Sequence, residues 1–463
     1  MRGGVSATAS TAISLAPSLA PSLAPGREAV NAHEREGGGN PGAVLFVVLL
    51  LAAFTALYCL DPILYLRLLR AWVPEAMPSP FADTAYVQNQ LACWRAGIDV
   101  YPANPCDVSG RGNAYPPLWL RLWFLPADPA WTAPLALTMV LGFFASLLLL
   151  PPVRGMANTG AWLAAVMSPA VAYGVERGNA DLLVFILAAL ALVAGERSLA
   201  WRIAGHAAVA LAGLLKLYPL ILTIRIAGER PRAAAATGFA LALVLGGLAW
   251  LWRAEWLAML PNIPGPAYST DGPGGRKLGE GLFILAGWAG GAPPDTLIPR
   301  RAGVAVLFGL LLLASVLPAL RLARQPRLAT ALARLTMRER GALILGGLLF
   351  SGCFMSAATS IAYREVVLLF ALPALLRFGS ERDMWFPVRW SAWIVPALMW
   401  GALPALSLDI HFGPMDEHGG PWPTFAFWLA REILWWWLFT LLTASLLCLA
   451  SLSGRLNIHP RPA

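Results

Sequence analysis

The chain has 463 residues, of which 58% are hydrophobic and only 13% are charged, and it contains 20 tryptophans. Runs of 18 or more apolar residues recur along it, which indicates an all-α, polytopic integral membrane protein. The Leu- and Ala-rich blocks exclude an outer-membrane barrel, which is built from short alternating strands. The net charge of +9 does not indicate a nucleic-acid partner, because the arginines cluster at the ends of the apolar runs.

The segment 1–41 differs from the rest of the chain. The sequence Ser-Leu-Ala-Pro, which begins at Ser14, occurs three times in tandem up to Pro25, and a Gly-rich stretch then leads into the first span. A proline at every fourth residue is incompatible with a regular helix. We therefore expect a disordered tail. A signal peptide is the weaker alternative, because the apolar part is short and has no clean cleavage motif.

The apolar segments predict about 12 transmembrane helices within one domain over 42–452, some of them short or broken. The clear spans are 43–60, 131–151, 161–175, 181–195, 233–252, 302–320, 341–358, 364–377, 389–407 and 426–452. The region 203–227 is ambiguous. It is either a single crossing or a pair of short helices that meets at Lys216–Pro219.

The placement of arginines predicts the orientation. The connection 321–340 carries six arginines and is expected in the cytoplasm, whereas 408–420 carries three acidic residues and no Lys or Arg, which favours the outside. Both tails, 1–41 and 453–463, are then cytoplasmic, and the segments 61–130 and 253–300 are external. We expect the protein in the plasma (inner) membrane, in contact with membrane lipids.

The same rule places Lys216 near the outer surface. Arginines at both 197–202 and 225–232 favour the cytoplasm, so the chain must cross outward and return between them. Lys216 is one of only two lysines in the chain, and it lies in an apolar stretch three residues before Pro219. A cation at membrane depth costs about 2.5–3.5 kcal/mol on insertion scales, so it usually meets a cavity, a partner or a substrate.

Five cysteines are scattered along the chain without the spacing of a metal site. Two of them, Cys93 and Cys106, lie in the external segment 61–130, where a disulfide can persist. The sequence leaves two alternatives open for this pair, a disulfide or two unpaired thiols. We predict neither a metal nor a cofactor.

Polar motifs collect on the side of the membrane predicted to be external. They are Asp83-Thr-Ala-Tyr86, Gly97-Ile-Asp99-Val-Tyr101, Tyr115-Pro-Pro117, Glu176-Arg-Gly-Asn-Ala-Asp181, Lys216-Leu-Tyr-Pro219 and Tyr363-Arg-Glu365. No single motif identifies a function. Their shared side and their order along the chain indicate one site.

In these motifs the chain resembles the GT-C class of membrane glycosyltransferases, and most closely glycosyltransferase family 87, over about residues 43–225. The resemblance implies a polyprenyl-phosphate-sugar donor, used on the outer face without a metal, and a catalytic base at Asp83, early in the first external segment. It therefore implies transfer of a hexose, with mannose as the expected sugar, to a lipid-linked or glycan acceptor. The Gly/Pro-rich segment 253–300 has no clear counterpart in the family.

The chemistry of an inverting transfer assigns roles to the polar residues. A carboxylate must take the proton of the attacking hydroxyl, and cations must stabilise the departing phosphate. Asp83 is the expected base, and the remaining residues are expected to bind substrate. Lys216 and Arg364 would hold the phosphate, Asn179 and Asp181 would position the sugar or the cations, and Tyr86 and Tyr115 would line the site.

Each of the charged residues also has a structural alternative. Asp83 could instead cap a helix. Lys216 could form an internal ion pair with Asp181 or Glu176, and Arg177 and Arg364 could pair with their acidic neighbours. At the level of the whole protein, a transporter or flippase for a lipid-linked sugar is the main alternative, because interrupted helices with buried charge also suit transporters. A non-catalytic scaffold would leave the clustered polar residues unexplained.

Overall fold

The computed structural model describes residues 40–195, 197–264, 272–290, 297–356, 361–381, 383–415 and 420–455. Regular structure in these residues is helical throughout, without a β-strand, as expected for the predicted all-α fold. The predicted tails at 1–41 and 453–463 fall almost wholly outside the described residues. The disorder of 1–41 and the cytoplasmic location of both tails therefore stay predictions.

Eighteen α-helices and five short 3-10 segments make up the described part of the chain. The α-helices are α1 (Pro41–Leu60), α2 (Pro62–Trp72), α3 (Ala82–Arg95), α4 (Thr132–Leu147), α5 (Met156–Val166), α6 (Pro169–Arg177), α7 (Ala180–Gly195), α8 (Leu199–Leu215), α9 (Pro231–Leu251), α10 (Arg253–Met259), α11 (Gly275–Gly290), α12 (Leu297–Ala323), α13 (Pro326–Arg334), α14 (Met337–Phe354), α15 (Leu368–Ser380), α16 (Phe386–Met399), α17 (Ala402–Phe412) and α18 (Trp422–Arg455). The 3-10 segments are Pro117–Arg121, Pro129–Trp131, Tyr218–Gly228, Leu260–Asn262 and Ala362–Val367.

Several helices are long and apolar enough to cross a membrane. Among the described residues these are the five helices Pro41–Leu60, Pro129–Leu147, Pro231–Leu251, Ala302–Ala323 and Trp422–Leu452. The helix α9 has no buried residue, and α1 exposes Leu45, Phe46 and Leu49, as expected of helices that face lipid. The protein is therefore a multi-pass membrane protein.

Two bent pairs of helices add to the apolar segments. Residues 156–177 and 180–195 meet at 109°, and residues 386–399 and 402–412 meet at 56°. If each pair forms one span, the number of candidate spans in the described residues rises to seven. Broken helices were expected, whereas the total of about 12 spans stays a prediction.

Aromatic packing holds the centre of the described residues together. Phe350 of α14 lies 5.9 Å from Trp435 of α18, and Phe370 of α15 lies 4.3 Å from Phe185 of α7, measured between ring centroids. All four side chains are fully buried. Because such interiors are close-packed, they leave α7 little freedom to move. The N-terminal end of α7 therefore has a fixed place in the molecule.

The ambiguous region 203–227 forms a pair of short helices. The helix α8 ends at Leu215, Lys216 has an extended backbone, and the 3-10 segment begins at Tyr218. The indole N–H of Trp119 donates a hydrogen bond of 3.0 Å to the carbonyl of Leu215. That carbonyl is one of the last four in the helix and has no partner within it. The side chain of Trp119 therefore stabilises the break just before Lys216.

The two segments predicted to be external pack against each other. Nδ2 of Asn262 donates to the carbonyls of Tyr101 (2.6 Å) and Asn113 (3.2 Å). Arg121 forms an ion pair with Glu255, at the start of α10. These contacts tie the stretch after α9 to the irregular chain that follows α3.

Cys93 and Cys106 form a disulfide within the first of these segments. Of the two alternatives left open by the sequence, the structure contains the bonded pair. Disulfides persist in oxidising compartments and are rare in the cytosol. The external location of residues 61–130 stays a prediction.

Loss of this disulfide should destabilise the protein. The two cysteines are 13 residues apart, and a disulfide that closes a loop of this size contributes about 3 kcal/mol. We expect a lower unfolding midpoint for Cys93→Ser and for Cys106→Ser, measured on purified protein by thermal unfolding. Cys59→Ser, at an exposed free cysteine, is the matched control and should unfold like the wild type. Equal midpoints for all four proteins would contradict the prediction.

Candidate functional site

A sharp turn between α6 and α7 carries the residues on which the site is built. The helix α6 ends at Arg177, and Gly178 adopts the left-handed conformation with φ of 57°. A Cβ at this position would lie 2.5 Å from Oγ1 of Thr84 in α3, so the close approach of α3 also requires glycine. The turn therefore brings the start of α7 directly against the start of α3.

Asn179, which is fully buried, lies at the centre of the polar side chains. Its Oδ1 accepts hydrogen bonds from the backbone N–H of Asp181 (2.8 Å) and from Nζ of Lys216 (3.3 Å). Its Nδ2 donates to Oδ2 of Asp83. A buried amide needs partners for both its oxygen and its nitrogen, and here those partners come from three separate elements. Asn179 therefore joins Asp83 and Lys216 into one polar cluster.

Asp83 forms an ion pair with Arg177. Its Oδ1 lies 2.9 Å from Nη2 and 3.1 Å from Nε of the guanidinium, and its side chain is 14% exposed. The N-cap of α3 is Phe81, and no side chain caps this helix, so the interpretation of Asp83 as a helix cap is wrong. The structural alternative in which Arg177 pairs with Glu176 is wrong as well, because the guanidinium forms its ion pair with Asp83.

The backbone just before Asp83 is strained. Phe81 has φ of 67°, and no other non-glycine residue in the described part of the chain has a positive φ. Its N–H donates a hydrogen bond of 2.6 Å to the carbonyl of Glu176. A bulky residue in this conformation persists only where surrounding contacts hold it, and such residues cluster at functional sites. The strained residue and its hydrogen bond fix the angle at which α3 presents Asp83 to the turn.

Lys216 has protein partners on several sides. Its Nζ lies 3.2 Å from Oδ2 of Asp181, and it lies 5.3 Å and 5.5 Å from the ring centroids of Tyr115 and Tyr363. The second oxygen of Asp181 accepts a hydrogen bond of 2.9 Å from the hydroxyl of Tyr218. The predicted internal pairing with Asp181 is therefore present. The bonds to Asn179 and Asp181 use two of the three donors of the ammonium, so one donor remains for an incoming anion.

Arg364, from the 3-10 segment Ala362–Val367, reaches the same cluster. Its Nε lies 3.9 Å from Oδ2 of Asp181, too far for a hydrogen bond, and its guanidinium lies 5.7 Å from the ring centroid of Tyr218. Nε and Nη1 are buried, and neither has a hydrogen-bond partner among the described residues. Buried donors without a partner are rare in proteins and call for a reason. An anionic ligand would supply one.

Three cations share two carboxylates in the ion pairs of this cluster. Arg177 pairs with Asp83, and both Lys216 and Arg364 pair with Asp181. Phosphate suits such a site, because guanidinium and ammonium groups bind its oxygens through charge-assisted hydrogen bonds.

The two predicted tyrosines differ in what they contact. The hydroxyl of Tyr86 donates a hydrogen bond of 2.8 Å to the carbonyl of Gly112 and accepts one from the N–H of Ala114, so it holds the following loop. Tyr115 lies against Lys216, and desolvation by burial, with a further contribution from the negative charge of Asp83, raises the pKa of Tyr115 well above its usual value. The Tyr115 hydroxyl therefore stays protonated and cannot serve as the base.

Two contributors to the cluster were not assigned to it from the sequence. Arg177 was considered only as a partner of Glu176, and Tyr218 was noted only as part of the Lys216 motif. The signal for both was present, since each lies within two residues of a predicted site residue.

In the described residues, no three His, Cys, Asp or Glu side chains come together in a way that could hold a metal ion. Metal-independent chemistry remains a prediction.

A protein-family model, glycosyltransferase family 87, matches residues 114–352, slightly more than half of the chain. The matched range contains Tyr115, Asn179, Asp181 and Lys216, whereas Asp83 and Arg364 lie outside it. The match begins later and reaches further than the resemblance noted over 43–225. No curated protein and no solved structure matches the chain.

Removal of the Lys216 ammonium should destabilise the protein through its effect on Asp181. Lys216→Met leaves the buried Asp181 carboxylate without its nearest cation, at a cost of about 1–3 kcal/mol. Thermal unfolding should show a lower midpoint, and the double variant Lys216→Met/Asp181→Asn should recover most of the loss.

Arg334→Met provides the matched control, because Arg334 is half exposed in its ion pair with Glu381 and surface pairs contribute little. If Lys216→Met unfolded at the same temperature as this control, the ion pair with Asp181 would have no energetic role.

Proposed function

Because the chain belongs to glycosyltransferase family 87, and is thus a membrane glycosyltransferase, we propose that it moves a hexose from a polyprenyl-phosphate-sugar donor to a lipid-linked or glycan acceptor. Mannose is the proposed sugar. The reaction proceeds on the extracytoplasmic face of the plasma membrane, with inversion at the anomeric carbon, and needs neither a metal nor a cofactor.

The observation that carries this proposal is the connection of a carboxylate, through one amide side chain, to a group of buried cations. Asp83 and Lys216 are both hydrogen-bonded to Asn179, and Arg364 adds buried donors that lack a protein partner. A glycosyl transfer from a lipid phosphate requires both components side by side, a base for the acceptor and cations for the leaving group.

Asp83 acts as the general base in the proposed reaction. The acceptor hydroxyl attacks the anomeric carbon and transfers its proton to a carboxylate oxygen of Asp83. A new carbon–oxygen bond forms as the bond between the anomeric carbon and the phosphate oxygen breaks, and the bonding electrons leave with the phosphate. The contacts from Arg177 and Asn179 hold the Asp83 carboxylate in a fixed position from which one of its oxygens can accept the proton.

Lys216 and Arg364 bind the donor phosphate and stabilise the charge that grows on it. Both cations lie beside Oδ2 of Asp181, and this shared carboxylate keeps them oriented before the donor arrives. Such preorganised charges lower the barrier because they need no rearrangement during the reaction. Asn179 and Asp181 position the cations, Tyr115 lines the site beside Lys216, and Tyr86 maintains the loop that carries Tyr115.

The broken helices favour transport of a lipid-linked sugar as the second candidate function. The 109° bend at 178–180 puts polar groups at a helix interruption, which is a common arrangement in transporters. Membership of a glycosyltransferase family favours the enzyme. The two functions differ in their product, because only the enzyme forms a new glycosidic bond.

Replacement of the Asp83 carboxylate should abolish transfer. Asp83→Asn keeps the size of the side chain but removes the base, and general-base catalysis contributes a factor of about 10²–10⁴ to the rate. The measurement is transfer of labelled mannose from a polyprenyl-phosphate donor by the purified protein in lipid nanodiscs. Asp61→Asn is the matched control, because Asp61 caps α2 on the surface and asparagine caps equally well. Undiminished transfer by Asp83→Asn would show that Asp83 is not the base.

Loss of the Arg364 guanidinium should weaken donor binding. Arg364→Met removes donors assigned to the phosphate, and we expect the KM for the donor to rise about tenfold or more, which corresponds to roughly 1.4 kcal/mol. Steady-state kinetics with varied donor and constant acceptor provides the measurement. Arg377→Met, in a partly exposed ion pair with Glu339, should leave this KM unchanged. A normal donor KM in Arg364→Met would remove Arg364 from the phosphate site.

A further inference from the structure

A separate cavity lies between the end of α3 and the short helix α10. It has a volume of about 420 Å³ and is lined by Trp94, Asp99, Tyr101 and Glu255, together with Ala254 and Ala258. Small-molecule sites commonly measure about 300–1,000 Å³. The cavity is built from the two segments predicted to be external, and the disulfide at Cys93 adjoins it.

Buried polar atoms at this cavity have no hydrogen-bond partner among the described residues. They are the hydroxyl of Tyr101, a residue only 4% exposed, and Oε2 of Glu255. Trp256 packs in the same small apolar cluster as Trp94 and Tyr101. Its Nε1 is also buried and has no hydrogen-bond partner among the described residues. A buried polar group without a partner costs about 1–3 kcal/mol. The Tyr101 hydroxyl and Oε2 of Glu255 belong to residues that line the cavity, and they indicate a ligand that supplies hydroxyl groups.

The aromatic and charged groups narrow the chemistry of that ligand. The Trp94 side chain is partly exposed, with the Arg121 guanidinium over its ring. An aromatic side chain beside polar neighbours suits the C–H face and hydroxyl edge of a sugar ring. A lipid tail would leave the polar atoms unpaired. Asp99 and Glu255 disfavour an anion, although the ion pair of Arg121 with Glu255 offsets part of this charge. A neutral carbohydrate can pack against the aromatic side chain, supply hydroxyl groups to the unpaired polar atoms and avoid repulsion by the acidic residues.

We propose that this cavity binds the part of the acceptor glycan that lies remote from the reacting hydroxyl. This inference rests on the proposed function, because the proposed transfer reaction is what brings a glycan acceptor to the protein. Asp83 lies in the first turn of α3 and Trp94 in its last turn, so about 16 Å separates them along the helix axis. One rigid helix therefore holds the base at one end and the glycan subsite at the other. Such an arrangement favours acceptors of several sugar units over a single sugar.

The test uses a substitution that fills the cavity without removing its walls. Ala258 is exposed on α10 and lines the cavity, so Ala258→Trp blocks it, whereas Leu257→Trp places the same side chain on the neighbouring position, which does not line it. Fluorescently labelled mannotriose, maltotriose and chitotriose are titrated into the full-length protein in nanodiscs. We expect at least one to bind the wild type and Leu257→Trp, and Ala258→Trp to weaken that binding about tenfold or more.

Binding and transfer are separate readouts, so their failures can be distinguished. Asp83→Asn should bind the trisaccharide normally, and a protein that binds it without forming a glycosidic bond would overturn the proposed function but support the subsite. With an acceptor that carries the bound trisaccharide, Ala258→Trp should raise the acceptor KM about tenfold and leave the donor KM unchanged. The subsite is overturned if no trisaccharide binds the wild type, or if Ala258→Trp binds as tightly as Leu257→Trp.

Discussion

Charged side chains buried near a membrane need partners, and this need organises the candidate site. An isolated charge in a medium of low dielectric is too costly to persist. In this chain the cost is met by a network centred on Asn179, whose amide connects the carboxylate of Asp83 with the ammonium of Lys216. Since these residues come from elements far apart in the sequence, none of the three can move without leaving a buried polar group unpaired.

The breaks in the helices are a consequence of the same requirement. Backbone groups freed at a break must be satisfied within the protein, because lipid offers no hydrogen bonds. The indole N–H of Trp119 donates a hydrogen bond to the carbonyl of Leu215 just before Lys216. Gly178 permits the turn that places Asn179 against α3. The interruptions thus bring polar side chains together inside an otherwise apolar molecule, while outer helices such as α1 and α9 stay apolar and exposed.

Much of the fold and most members of the candidate site could be predicted from the sequence, but the pairing within the candidate site could not. Apolar runs predicted the all-α membrane class, and the cost of a buried cation singled out Lys216. Pairing depends on the angles at which helices meet, and sequence spacing does not give those angles. Arg177 was therefore assigned to its neighbour Glu176, although the left-handed turn at Gly178 directs it to Asp83. The cavity at Trp94 was missed for the same reason, because it forms only where two distant segments pack together.

The most direct test is an experimental structure of the protein in nanodiscs with a non-hydrolysable polyprenyl phosphonate sugar. We expect the phosphonate within hydrogen-bonding distance of Lys216 and Arg364, with the anomeric carbon facing Asp83. We also expect the sugar on the side of the membrane that holds the disulfide. A phosphonate bound elsewhere, or Asp83 and Lys216 separated by packed side chains in that structure, would contradict the assignment of one shared site.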